Sequence, residues 1–72
     1  MRKTFRLEEL DCANCAAKIE RAAAAVEGVE RVSVSFMAQK IIVEAPEERF
    51  DEIMHEIARC VKRVDSDCTL IF

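Results

Sequence analysis

Two hydrophobic periodicities alternate along this chain, and their order leaves few folds open. Apolar residues that alternate with polar ones are typical of half-buried strands, whereas apolar residues spaced by three or four are typical of amphipathic helices. The pattern predicts strands at roughly 2–8, 32–36, 41–44 and 68–72, and helices at roughly 15–26 and 47–61. Gly28 is expected to end the first helix and Pro46 to begin the second.

The resulting β-α-β-β-α-β order predicts an α+β fold, the ferredoxin-like sandwich. Crossover connections are right-handed, so both helices are expected on one face of a four-stranded antiparallel sheet. In that arrangement the last strand pairs with the first and runs opposite to it. The loops at 9–15 and 62–68 are therefore expected at the same end of the molecule. The whole chain, residues 1–72, is expected to form one small domain.

Composition argues against several classes of function. Eleven Lys and Arg stand against fourteen Asp and Glu, and Trp and Tyr are absent, which suits neither a phosphate backbone nor base stacking. No apolar run approaches the ~20 residues needed to cross a bilayer, and no signal-peptide pattern follows the N-terminus. We therefore expect a cytoplasmic protein that binds no nucleic acid. Cytosolic thiols are usually reduced, so four cysteines indicate metal or redox chemistry.

Cys12 and Cys15 form a C-x-x-C motif between the first predicted strand and the first helix. About one helical turn separates them, so both sulfurs can face one centre. We expect Cys15 at the helix start, where unpaired N–H groups and the helix dipole favour a thiolate. Thiolates suit Cu(I), Zn(II) and their heavier congeners. The spacing alone also fits a thioredoxin-type redox pair or half a zinc ribbon, but Cys60 and Cys68 provide no second closely spaced pair.

The segment around this motif resembles the heavy-metal-associated domains. Residues 10–20, Leu-Asp-Cys-Ala-Asn-Cys-Ala-Ala-Lys-Ile-Glu, are similar to the metal loop and first helix of that family, and residues 28–36 to its helix stop and second strand. The resemblance implies that Cys12 and Cys15 are the metal ligands and that Leu10 is buried under the loop. Domains of this kind occur as free copper chaperones and as N-terminal modules of heavy-metal P-type ATPases.

The loop departs from the Gly-Met-Thr-Cys-x-x-Cys form that is common in the family. Glu9, Leu10 and Asp11 replace the Gly, Met and Thr, and residues 62–68 replace the Lys-Ala-Gly-Tyr stretch of many copper-binding members. An Asp-Cys-x-x-Cys loop resembles the modules of zinc-, cadmium- and lead-exporting ATPases. Divalent Zn and Cd accept a carboxylate oxygen, which Asp11 can supply, whereas Cu(I) gains little from it. We predict one bound heavy-metal ion, Zn(II), Cd(II) or Pb(II) in preference to Cu(I).

Several residues of the last third are further candidates. Cys68 is expected in the core of the last strand, with a role as a third thiolate as the alternative, since the fold brings it near Cys12. Asp65 and Asp67 are expected to be solvated loop acids, with a contact to the metal or its ligands as the alternative. Cys60 is expected to be a buried thiol.

Three functions stay open on the sequence alone. The chain is a metal-binding module of a P-type ATPase, a free metallochaperone that delivers metal to such a pump, or a thiol–disulfide redox protein. It offers no acid–base pair, nucleophile–base pair or phosphate loop, so we expect no enzyme activity of its own. Lys62 and Arg63 are expected to be solvated, with a role in offsetting thiolate charge or a contact to an acidic partner as the alternatives. We expect a monomer, although two exposed thiols can also bridge a metal between two chains.

Overall fold

The computed structural model describes residues 1–71, so Phe72 and its predicted place in the last strand lie outside the described residues. The described elements, in chain order, are β1 (Arg2–Glu8), α1 (Ala13–Ala24), β2 (Arg31–Ser35), β3 (Lys40–Glu44), a 3-10 turn (Glu47–Arg49), α2 (Phe50–Val64) and β4 (Thr69–Ile71). The predicted β-α-β-β-α-β order is confirmed.

The four strands form one antiparallel sheet in the order β2-β3-β1-β4. Strand β1 lies in the centre of the sheet with β3 and pairs with β4 on its other side. In that pairing Glu8, the last residue of β1, is opposite Thr69, the first residue of β4. The loops that follow β1 and precede β4 therefore meet at one end of the molecule, as predicted.

The core lies between one face of the sheet and the two helices. Strand alternation turns Leu7, Ile41 and Val43 inward, while Arg6 and Ile42 point to the open face. The two helices pack on each other, with α1 also against β2 and α2 also against β4. Their buried side chains with at most 1% exposure are Ile19, Ala23, Ile53, Ile57 and Val61. The ferredoxin-like sandwich is thus built as the two periodicities predict.

The first helix begins and ends earlier than predicted. It begins at Ala13 rather than at residue 15, because Cys12 takes the N-cap position with extended backbone angles. It ends at Ala24, so Gly28 is not its immediate stop. Gly28 instead has φ of +96° in the next turn, a conformation that glycine adopts readily. A Cβ there would lie 2.9 Å from Ile53 Cδ1, so a side chain at this position would also displace the end of the Ile53 side chain.

The second helix and the last strand also differ from their predicted bounds. The helical region begins with the 3-10 turn after Pro46, and α2 continues to Val64 rather than to residue 61. Strand β4 begins at Thr69, because the N–H of Cys68 donates to the carbonyl of Asp65 (3.1 Å) in a turn. Within residues 1–71, neither helix combines the length and apolar character that a bilayer crossing requires.

Candidate metal centre

The loop that carries the C-x-x-C motif joins the end of β1 to the start of α1. Leu10 anchors it in the core with 2% exposure, which confirms the predicted burial. Cys12 is the N-cap, and its carbonyl accepts the N–H of Ala16 (3.0 Å), the first bond of the helix. Cys15 follows in the first helical turn. Both cysteines are half-buried, so each side chain packs partly against the protein and stays partly accessible to solvent.

Cys15 lies in the first turn of α1, as predicted, but the thiolate is favoured at Cys12 and not at Cys15. The Cys12 side chain makes no capping hydrogen bond of standard geometry. Even so, the nearby N–H of Cys15, then the Cys15 thiol and the N–H of Asn14, lower the pKa of the Cys12 thiol below its ordinary value. The physical reason is that α1 begins at Ala13, so its free N–H groups face the residue before the helix.

The pKa of Cys15 moves in the opposite direction. It is raised, first because the Cys15 thiol donates toward Cys12, then by partial burial, by the negative charge of Cys12 and by that of Asp65. Lys18, one turn along the helix, opposes the increase. The two thiols therefore lie close together and affect each other's ionisation, and Cys12 is the first of them to lose its proton as pH rises. A soft cation bound to both sulfurs would replace the hydrogen bond between the two thiols.

We expect Cys12 to be alkylated at lower pH than Cys15 in the reduced, metal-free protein. Only the thiolate attacks iodoacetamide, and as pH rises Cys12 ionises first because its pKa is lowered while that of Cys15 is raised. Brief exposures across a pH series, followed by fragmentation mass spectrometry, would measure both sites. Buried Cys60 provides an internal reference for slow labelling. Earlier modification of Cys15, or equal midpoints, would contradict the assignment.

A complete ligand set is not assembled in residues 1–71. No group of three or more His, Cys, Asp or Glu side chains there is arranged to hold a metal ion. Asp11, predicted to add a carboxylate oxygen, is exposed beside Cys12. Two thiols are chemically suited to a soft cation, and they leave coordination positions open to Asp11, to water or to a partner.

Cys68 lies at the same end of the molecule but is fully buried, as predicted for a core residue. Burial raises its pKa, and the charges of Asp65, Cys15 and Asp11 raise it further. Those charges show that Cys68 is near the motif. A neutral thiol is favoured there, so a role as third ligand requires a rearrangement of the loop. The other candidate thiol, Cys60, is buried on α2 as predicted.

The loop before β4 is held by hydrogen bonds of its own. The Asp65 carboxylate accepts the N–H of Asp67 (3.0 Å), and the Asp67 side chain is exposed. The Lys62 ammonium donates to the Ser66 carbonyl (3.2 Å) and to the Thr69 hydroxyl (3.0 Å). Lys62 is exposed, as predicted, and its side chain also connects the end of α2 to the start of β4.

Gln39, in the turn between β2 and β3, contacts the metal loop and was missed at the level of sequence. Its side-chain amide accepts the N–H of Leu10 (3.1 Å) and donates to the carbonyls of Leu10 (2.7 Å) and Phe36 (2.8 Å). The contact joins residues 29 positions apart, and a polar residue in a turn carries no pattern that identifies such a partner. Only the fold brings the two loops together.

A family model and a curated protein both match this chain. The model described as the heavy-metal-associated domain matches residues 4–63. A cadmium, zinc and cobalt-transporting ATPase of Bacillus subtilis (strain 168) is 29% identical over 70 residues, which cover 97% of this chain and 10% of that protein. The chain thus spans about a tenth or less of the length of the curated relatives it matches.

Two solved structures have the same architecture. The N-terminal domain of ZntA in the apo form superposes with a TM-score of 0.76 and 27% identity, covering 97% of this chain and 88% of that one. The N-terminal domain of a potential copper-translocating P-type ATPase from Bacillus subtilis, loaded with Cu(I), gives a TM-score of 0.77 and 25% identity, with 96% and 81% coverage.

Proposed function

The chain belongs to the heavy-metal-associated domain family, and we propose that it binds one Zn(II), Cd(II) or Pb(II) ion between Cys12 and Cys15. Domains of this family bind or pass on metal rather than catalyse, so the chain is not an enzyme by itself. The observation that carries the proposal is a pair of neighbouring, half-buried thiols at the start of a helix, one of which is biased toward the thiolate.

The chemistry of this pair suits a cation that must be taken up and released. Thiolates hold soft cations strongly, and partial exposure lets an incoming or receiving protein reach the ion. Binding has to remove the proton that Cys15 retains, because the metal ligand is the thiolate. Affinity is therefore expected to increase with pH until Cys15 ionises without metal. A redox pair would not show this coupling to a metal.

Asp11 supports a divalent ion over Cu(I). It is exposed and directly precedes Cys12, so rotation of its side chain can add an oxygen ligand to the two sulfurs. Two thiolates and one carboxylate around a divalent ion leave a net charge of −1 and an open position for transfer. The curated relative from Bacillus subtilis is described as a transporter of cadmium, zinc and cobalt.

The proposed setting is a metal-binding module on the cytosolic side of a P-type ATPase. The support is that the chain matches about a tenth or less of its curated relatives and covers most of two N-terminal pump domains. In this setting residues 1–72 form one domain that exchanges metal with other domains of the pump or with a metal donor. A free metallochaperone has the same metal site, and the two differ in whether membrane helices follow in the gene.

A metal titration with an Asp11 variant tests the proposal. One equivalent of Cd(II) added to the reduced protein should produce sulfur-to-metal charge-transfer absorbance that saturates at a 1:1 ratio. Asp11→Ala should weaken Zn(II) and Cd(II) binding by about 10-fold or more, the scale seen even for groups that only support ligands. Cu(I) affinity should change by less than about threefold, because Cu(I) gains little from a carboxylate. Competition with chromophoric chelators measures all three affinities.

Glu8→Ala is the matched control, since it removes one exposed carboxylate close to the loop but outside it. It should leave the three affinities nearly unchanged. A similar loss for every metal, or none for any, would exclude Asp11 as a ligand. Absence of any absorbance or heat with Cd(II), Zn(II) and Cu(I) would overturn the function itself.

A further inference from the structure

We propose that Gln39 is a positioning residue that holds the metal loop in the shape needed to capture the ion, an inference that rests on the proposed function. Its side-chain amide bonds to both backbone groups of Leu10, which lies two residues before Cys12. The hairpin between β2 and β3 thus fixes the loop from outside. Nothing in the metal chemistry itself requires this residue.

The contact works like a short piece of β-ladder made by a side chain. The Gln39 amide presents an acceptor and a donor in one plane, and Leu10 presents an N–H and a carbonyl to match. The other hydrogen of the same Gln39 NH2 group is donated to the Phe36 carbonyl, and this bond fixes the rotation of the amide. The Gln39 backbone carbonyl also accepts the N–H of Leu7 (2.8 Å). One residue therefore holds the chain on both sides of the turn that leaves β1.

The backbone at these positions is unusual for the residues present. Gln39 has φ of 55° and Glu9 has φ of 61°, both in the left-handed region where glycine or asparagine is favoured. Glycine at position 39 would relax the turn but could not bond to Leu10. The glutamine side chain thus supplies contacts that the locally preferred residue cannot make, which points from backbone strain to a role in the neighbouring loop.

Hydrogen bonds hold the metal loop at both of its ends before the ion binds. On the helix side, Cys12 is fixed by the first bond of α1, between its carbonyl and the N–H of Ala16. On the strand side, Leu10 is fixed by Gln39, so Asp11 alone lies between the two anchored residues. A loop that is ordered before the ion arrives avoids the entropy loss of ordering on binding. Without Gln39, part of that loss falls on the metal-binding step.

Two variants separate this role from a contribution to stability. Gln39→Gly removes the amide and relaxes the backbone, whereas Gln39→Glu keeps the shape but cannot donate to Leu10 or Phe36. Both should weaken Zn(II) binding by about 10-fold, the scale of one to two lost hydrogen bonds. Affinity is measured by chelator competition at a temperature where circular dichroism shows every variant folded. Under that condition a change in stability alone does not alter the dissociation constant.

Ser35→Ala is the matched control, because it removes the hydrogen bond from the Ala38 N–H to Ser35 within the same hairpin without touching the loop. Its Zn(II) affinity should stay within about twofold of the original protein. In the metal-free protein, the Leu10 amide should exchange faster with solvent in Gln39→Gly, which removes its acceptor, and not in Ser35→Ala. Unchanged Zn(II) affinity in both Gln39 variants would overturn this role and leave the proposed function intact. If the original protein itself did not bind Zn(II), both the role of Gln39 and the proposed function would be overturned.

Discussion

Cys12→Ser is expected to lower Zn(II) and Cd(II) affinity by at least about 100-fold while the domain stays folded. Serine is close to cysteine in shape, but its hydroxyl does not ionise near neutral pH and is a poor ligand for soft cations. The change also removes the sulfur that ionises first and leaves a single thiol in the C-x-x-C loop. The expected loss of affinity corresponds to the part of the binding free energy that one thiolate contributes in a thiolate-rich site. Chelator competition and the Cd(II) charge-transfer band measure it.

Cys60→Ala is the matched control for the loss of a thiol. Cys60 is buried on α2, and its sulfur lies 4.0 Å from the carbonyl of Ala22, within the interface between the helices. This variant should bind one equivalent of Cd(II) with the original absorbance. If Cys12→Ser retained that absorbance, or if Cys60→Ala lost it, the ion would have to be bound somewhere other than the C-x-x-C loop.

Much of the fold could be predicted because burial imposes different periods on strands and helices. The alternation around Leu7 placed β1 at its observed residues, and the pairing of Glu8 with Thr69 follows from the predicted strand order. That order also brought Cys68 to the end of the sheet that carries the metal loop. Its burial was expected, since its neighbour Leu70 faces the core. Patterns that repeat over several residues were therefore informative.

The features that could not be predicted depend on single residues and on contacts distant in sequence. The helix begins at Ala13 because Cys12 adopts extended backbone angles, and this shift of two residues decides which thiol is favoured as the thiolate. Hydrophobic periodicity does not resolve helix ends to that accuracy. Likewise, the bonds that Gln39 makes to Leu10 and that Lys62 makes to Thr69 join polar side chains across loops. No local pattern marks either pair.

Ile57→Ala is expected to leave most of the metal-free protein unfolded at 25 °C. Ile57 is fully buried on α2 at the centre of the core, and such a truncation costs about 2–5 kcal/mol through lost burial and the cavity that remains. A core in a domain of this size supplies only about 3–5 kcal/mol of net stability. Urea unfolding followed by circular dichroism would show a large fall in the midpoint, or no folded baseline at all.

Ile42→Ala makes the same chemical change on the open face of the sheet, where Ile42 is 39% exposed, and should cost less than about 1 kcal/mol. Zn(II) at about 100 times its dissociation constant should restore about 2.7 kcal/mol to Ile57→Ala, because the ion binds the folded state. The same Zn(II) should not rescue Ile57→Ala combined with Cys12→Ser. If Ile57→Ala and Ile42→Ala lost the same amount of stability, the assignment of Ile57 to the core would be contradicted. If Zn(II) also stabilised the variant that lacks Cys12, the ion would have to bind outside the C-x-x-C loop.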